Sequence, residues 1–364
     1  MLDKELKKRN LPDLLFSKNG EYIQNVQKWE TLQKPFWREL LLQEEYGKIP
    51  PMVLPEISSW VKPISFGGKA VWEVVTFTFR YCGKEHTIST QMIYPINSIE
   101  NPFIIYLNFS SNIPDIYLPL EEIIDNGFGI FTVCHDDITK DNNDFTDGLA
   151  RLFQESERKD DDTGKLMYWA YMASRMMDYL QTRKEADKER IGIAGHSRLG
   201  KTALLASALD DRFSFVYANE SGCSGASLSS GHCEKSETIK SICTNFPFWF
   251  CPNYYKYAGK DNELPFDQHC LLALSAPRHV YVSGAIEDVW ADNDNQFLSC
   301  VAASKVWNVY GKIGIVTPNR LPVCGDVFKD GEIGFHLRGG DHFHSRTDWL
   351  IFMDWLKLKN CGKV

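Results

Sequence analysis

The chain has 364 residues, of which 43% are hydrophobic and 24% charged, and its formal net charge is −8. That composition excludes collagen-like, coiled-coil and largely disordered chains. The acidic balance argues against a nucleic-acid partner, which selects a basic face. At about 150 residues per domain the length suits two domains or one large α/β domain.

Residues 1–55 are polar, punctuated by Pro and rich in Trp and Glu, and read as an N-terminal extension with a short helix near 28–46. The first residues, MLDKELKKRNLPDLLF, lack the apolar core of a signal peptide. No apolar run approaches the roughly 20 residues that span a bilayer, so no membrane partner is expected. The ten cysteines, Cys82 to Cys361, show neither CxxC nor zinc-finger spacing. A cytoplasmic chain with reduced thiols is the expectation.

From residue 56 onward the pattern reads as one α/β domain, 56–364. Residues 70–95 carry two β-rich runs around Cys82-Gly83-Lys84, an antiparallel hairpin. Pro102 to Leu107 and Gly129 to Val133 are short apolar runs fit for buried parallel strands. The charge cluster Glu155 to Asp162 reads as a solvated loop. A helix follows at about 165–182, with Leu166, Trp169, Ala173, Met176, Met177 and Leu180 on one core-facing stripe. Arg190 to Gly195 is a strand, and Arg198 to Leu209 a helix. Phe213 to Ala218 and His279 to Ser283 are further strands, and Asp348 to Leu356 is a closing helix. Strands alternating with helices predict a mainly parallel central sheet with helices on both faces.

The stretch Gly195-His196-Ser197-Arg198-Leu199-Gly200-Lys201-Thr202 admits two readings. As GxxxxGK[ST] it is a phosphate loop, with Lys201 on phosphate and Thr202 on magnesium. Around Ser197 it is a nucleophile elbow, a sharp strand-to-helix turn that exposes the hydroxyl. Its second glycine comes one position late, at Gly200, and Leu199 holds the usual slot. The rest of the chain favours the elbow, which needs an acid and then a His in the order Ser…Asp/Glu…His. Glu220 follows the FSFVYA run, Asp288 follows HVYVS, and His342 lies in RGGDHFH before the last helix. A phosphate loop would usually follow the first strand and need a separate acid for the metal. His135-Asp136-Asp137 completes no ligand set and reads as a loop; Cys223 and Cys251 read as buried thiols.

The pieces GHSRLGK, NESGCSGASLS, NFPFWF, LPFDQH, APRHVYVSGAIEDVWADN and FHLRGGDHFHSRTDW together resemble carbohydrate esterase family 15, the glucuronoyl esterases, and bacterial relatives labelled acetyl xylan esterases. The resemblance covers roughly residues 70–358. It implies an α/β-hydrolase fold and ester cleavage at a carbohydrate acid, with no cofactor or metal. By that resemblance Ser197 is the nucleophile and His342 the base. Glu220 or Asp288 is the acid, since bacterial members can carry both. Arg198 is the oxyanion-stabilising cation, and Lys201 and Trp290 line the sugar pocket, with Trp249 a further candidate. Fungal members carry a substrate-contacting Glu three residues before the Trp of the WF pair, where this chain has Phe246, and His344 competes with His342 for the base role. The rival readings are an acetyl esterase on the same fold, a P-loop nucleotide hydrolase, and an inactive hydrolase fold used for binding.

Overall fold

The computed structural model describes residues 1–96, 99–154 and 157–361. Among the described residues ten strands form the sheet: β1 (Glu56–Ser65), β2 (Ala70–Tyr81), β3 (Lys84–Pro95), β4 (Asn101–Asn108), β5 (Gly129–Cys134), β6 (Ala186–His196), β7 (Phe215–Asn219), β8 (His279–Ala285), β9 (Val327–Phe328) and β10 (Ile333–Arg338). Across the sheet the order is β1-β2-β3-β5-β4-β6-β7-β8-β10-β9. From β5 to β10 every neighbouring pair is parallel. The edges β1-β2-β3 and β9 are antiparallel.

The hairpin forms where the sequence placed it. Tyr81 pairs with Lys84 across a two-residue turn, and Cys82 and Gly83 both have positive φ, 48° and 76°. That backbone twist matches the twist of the flanking strands.

Strand alternation builds two cores. Along β4, Phe103, Ile105 and Leu107 face one apolar layer, while Ile104 and Tyr106 face the other. The first layer is covered by the helices Lys165–Gln181, Arg198–Leu209 and Asn293–Val309. The second is covered by Leu120–Asp125 and Arg346–Leu358. All six residues of the expected stripe on Lys165–Gln181 are buried.

The N-terminal segment adds no strand but joins the first layer. Leu14, Leu15, Ile23, Trp29, Trp37, Leu41 and Tyr46 are all buried there. The helix expected near 28–46 runs from Val26 to Tyr46, with wider π turns at Trp29–Gln33 and Leu42–Tyr46.

Several elements exceed the sequence expectation. β1 is an edge strand with a Pro inside it. β10 lies inside a motif read for its chemistry. Asn293–Val309 is buried over most of its circumference, so no one-sided stripe announces it. His135-Asp136-Asp137, expected as a loop, is instead the start of a short helix, His135–Ile138. The cluster expected as a solvated loop begins at residues 155 and 156, which lie outside the described residues; Asp161 and Asp162 pair with Lys48.

Candidate active site

The glycine-rich motif lies where β6 turns into the helix Arg198–Leu209. Ser197 sits at that corner with φ 56° and ψ −129°, and its N–H donates to the Asn219 carbonyl at 2.9 Å. A non-glycine residue held there is strained by about 1–3 kcal/mol, a cost found where the surroundings fix a functional side chain. The corner is tight. A Cβ on Gly195 would stand 2.1 Å from the Leu199 carbonyl oxygen, and one on Gly200 would stand 3.1 Å from the Gly195 oxygen. The late second glycine thus still serves the close crossing.

The phosphate-loop reading fails in this setting. Lys201 is buried, and its Nζ donates to the Ser221 carbonyl at 2.7 Å, to Glu237 Oε2 at 2.7 Å, and to the Cys223 carbonyl. Thr202 Oγ1 donates back to the Arg198 carbonyl at 3.0 Å. Both groups that would hold phosphate and magnesium are spent inside the protein. For the same reason Lys201, expected to line a sugar pocket, is instead a buried cation under the loop that follows β7.

His342 lies on the loop between β10 and the helix Arg346–Leu358. Its Nδ1 is 2.7 Å from Asp288 Oδ2 and 3.2 Å from Glu220 Oε2, so both candidate acids meet one ring nitrogen. Glu220 directly follows β7, and Asp288 lies three residues past β8. Glu220 has φ 47°, which turns its carboxylate back over the sheet end. There it also accepts from Arg338 Nη2 at 2.8 Å and from the Phe343 N–H at 2.9 Å. Arg338 Nε reaches Asp348 at 2.9 Å, and Asp348 accepts from His336 Nε2 at 2.7 Å, so a buried network backs Glu220.

Burial opposes a charge on His342. Its hydrogen bonds to Asp288 and Glu220 and their charges overcome that penalty and raise its pKa to about 9. Burial lifts Glu220 to about 7, against the opposing pull of His342 and Arg338. These groups titrate as one cluster. With Nδ1–H held by carboxylates, Nε2 is the ring nitrogen left as a proton acceptor.

His344 is set apart. It is fully buried, stacks on Trp349 at 4.7 Å, and lies 3.2 Å from the Tyr106 hydroxyl. Burial drives its pKa down to about 3, so it stays a neutral packing group. His196, which precedes Ser197, is a nearer neighbour. Its ring lies 4.5 Å from that of His342, and its Nδ1 meets Asn219 Oδ1 at 2.6 Å. Burial, with His342 and His344 close by, holds it neutral.

Arg198 leans away from the helix toward Asp141 and pairs with it. Its guanidinium lies 5.1 Å from the Trp249 ring, 5.6 Å from Phe109 and 5.7 Å from Phe246. Its Nε is buried without a hydrogen-bond partner among the described residues. Trp249, expected to line the sugar pocket, is buried instead. It stacks on Phe246 at 4.0 Å and donates from Nε1 to Asp141 Oδ1 at 2.6 Å. Trp290 is 47% exposed on the Asp288 loop, its carbonyl accepting the Glu237 N–H at 2.8 Å.

No sequence signal marks Asp141 or Arg338. Asp141 sits in a polar run of Asp and Asn with no spacing signal. Arg338 lies inside FHLRGGDHF, four residues before His342, and nothing but its place marks it. Cys223 and Cys251 are buried, and burial raises both thiols, Cys251 to about 12, so neither is a ready nucleophile.

His196, Glu220 and His342 offer ligand atoms within 4.8 Å of one another. The donor set suits a cation poorly. Glu220 and the Nδ1 of His342 are already paired, and the Arg338 guanidinium occupies one Glu220 oxygen.

The profile of the family described as "Glucuronyl esterase, fungi" matches residues 78–311. Carbohydrate esterase MZ0003, from an unknown prokaryotic organism, is 29% identical across 96% of this chain and 90% of its own length. The 4-O-methyl-glucuronoyl methylesterase of Schizophyllum commune is 25% identical over 94% of this chain and 79% of its own. Among solved structures, the glucuronoyl esterase of Solibacter usitatus superposes with a TM-score of 0.88 at 32% identity, covering 96% of this chain and 97% of that one.

Proposed function

Since this chain belongs to the glucuronyl esterase family, with the α/β-hydrolase fold and carboxylic ester hydrolysis on carbohydrate esters that membership brings, we propose which residues act and which ester they cleave. Ser197 is the nucleophile. His342 Nε2 takes the hydroxyl proton as Oγ attacks the ester carbonyl, then returns it to the departing alcohol. Water repeats the sequence on the acyl-enzyme and releases the acid. Asp288 and Glu220 together hold the imidazole tautomer and stabilise the imidazolium. The observation that carries this reading is the His342 Nδ1 set between two buried carboxylates, at 2.7 and 3.2 Å, beside a strained serine corner.

The tetrahedral oxyanion falls to the Arg198 N–H, which opens a helix and has no carbonyl a turn behind it. The Arg198 side chain, with its orphaned Nε, is the second donor. No lipase-type HGGG loop follows β4, where the chain reads Asn108-Phe109-Ser110-Ser111.

The substrate is an alkyl ester of a glucuronate-type uronic acid. The names of the relatives support it. Phe246 replaces a polar contact on the sugar side and stacks on Trp249, so the sugar is held less by hydrogen bonds there than in fungal members. Measuring kcat/KM on methyl glucuronate and on an acetylated xyloside in one buffer tests this. A higher value on the uronate ester is expected; a higher value on the acetyl ester would make the protein an acetyl esterase.

A further inference from the structure

A cavity of about 300 Å³ opens on the helical flank, between Lys165–Gln181, the far end of Arg198–Leu209, and residues 49–52. Leu209 ends the helix that Arg198 begins, so about 17 Å of helix separates this cavity from the serine corner. Its volume sits at the lower end of small-molecule sites, roughly 300–1,000 Å³.

The walls are apolar, with Ile49, Pro50, Met167, Ala170 and Leu209, while three guanidiniums converge on it from Arg38, Arg175 and Arg212. The Arg175 side chain is only 4% exposed. Such a buried cation normally surrounds itself with oxygen acceptors. Here its Nε is ion-paired with Asp178 Oδ2 at 2.8 Å but makes no hydrogen bond among the described residues, its Nη1 has only the thioether sulfur of Met52, and its face lies on the Tyr171 ring at 5.0 Å. Arg38 has no hydrogen-bond or ion-pair partner among the described residues. Arg212 is held by Asp210 at 2.7 Å and Asp178 at 2.7 Å. Asp210 and Ser174 also line the cavity, and three cations against the two carboxylates leave one net positive charge around it.

We infer that this cavity is a second binding site, separate from the ester-cleaving centre, for a small monocarboxylate with an apolar body. The carboxylate replaces the Met52 sulfur as the acceptor for Arg175 and engages Arg38, while the apolar body lies against Ala170, Met167 and Leu209. Tyr171 keeps the mouth in place, since its hydroxyl donates to the Pro51 carbonyl at 3.1 Å and accepts from the Val53 N–H at 3.0 Å.

The test is titration calorimetry with benzoate at fixed ionic strength, with benzyl alcohol as the uncharged control. The protein is used intact, both free and with Ser197 blocked by a fluorophosphonate. Saturable benzoate binding is expected, with benzyl alcohol at least about tenfold weaker, because a charge-assisted pair is lost. Arg38→Ala, at a half-buried position, and Arg175→Lys, which keeps the charge but loses the fork, should each weaken benzoate by about tenfold. Benzoate that binds no better than benzyl alcohol, or equally well to both variants, would overturn the inference. So would binding that disappears when Ser197 is blocked, because it would place the ligand in the catalytic cleft. None of these readouts depends on which ester is hydrolysed.

Discussion

At the scale of single residues the unusual feature is one imidazole shared by two acids. Removing the only acid of a serine triad costs about 10⁴-fold in rate. Here Asp288→Asn or Glu220→Gln alone should cost well below that, and the double variant should approach it. The pH profile carries the sign. As the proposed base, His342 must be neutral to accept the serine proton, and its two carboxylate neighbours raise its pKa to about 9. The kcat/KM of the wild type should therefore climb through a limb near pH 9. Removing either carboxylate removes an anion that favours imidazolium, so the limb must move to lower pH in both single variants. A limb that stays fixed, or moves up, would mean the carboxylates do not act through His342. Arg198→Ala should lower kcat about 10²- to 10³-fold, the usual loss of one oxyanion donor, read by steady-state kinetics on the uronate ester.

These residues differed in how legible they were. Ser197, Glu220, Asp288 and His342 each follow a strand or sit in a glycine-rich loop, and the chain order alone suggested them. What the residue types could not tell was direction. Lys201 and Trp249 carry groups that suit a sugar pocket, yet Lys201 turns inward because three acceptors saturate its ammonium. Trp249 turns its N–H to Asp141 because the partner comes from 108 residues away. No local pattern reports a contact of that range.

At the scale of elements, the β6 corner is the piece on which the site depends. Gly195→Ala would drive a methyl group to 2.1 Å from a backbone oxygen that no rotamer can move. It should destabilise the fold by about 3 kcal/mol, at the upper end for overpacking, and abolish turnover, as measured by urea unfolding and the uronate assay. Gly200→Ala meets only a 3.1 Å contact and should be milder. Buried strands such as PFIIYL were readable because they are short, apolar and bounded. β1 and β10 were not, since an edge strand with polar residues and a strand inside a chemical motif lack that contrast. The Lys201–Glu237 pair adds a tie between elements. Lys201 holds the loop after β7, and the Glu237 N–H holds the Trp290 carbonyl on the loop after β8. The two acids thus stand on loops fastened to each other.

At the scale of the whole molecule, the first 55 residues read as an appendage because they show no strand pattern. In the structure they supply one edge of the larger core. Trp37 is 3% exposed and its Nε1 donates to the Leu14 carbonyl at 3.1 Å. Trp37→Ala should cost about 3–5 kcal/mol, the usual range for a buried aromatic, in one cooperative transition. A separate early transition, leaving the rest of the protein unchanged, would show that the segment folds on its own.

In the proposed mechanism Ser197 attacks a uronate ester with His342 as its base. The direct measurement is kcat/KM on methyl glucuronate for wild type and Ser197→Ala, with circular dichroism to confirm that the fold is retained. A loss of at least about 10⁴-fold with an unchanged spectrum is expected. A folded Ser197→Ala variant that turns over the ester at the wild-type rate would contradict it.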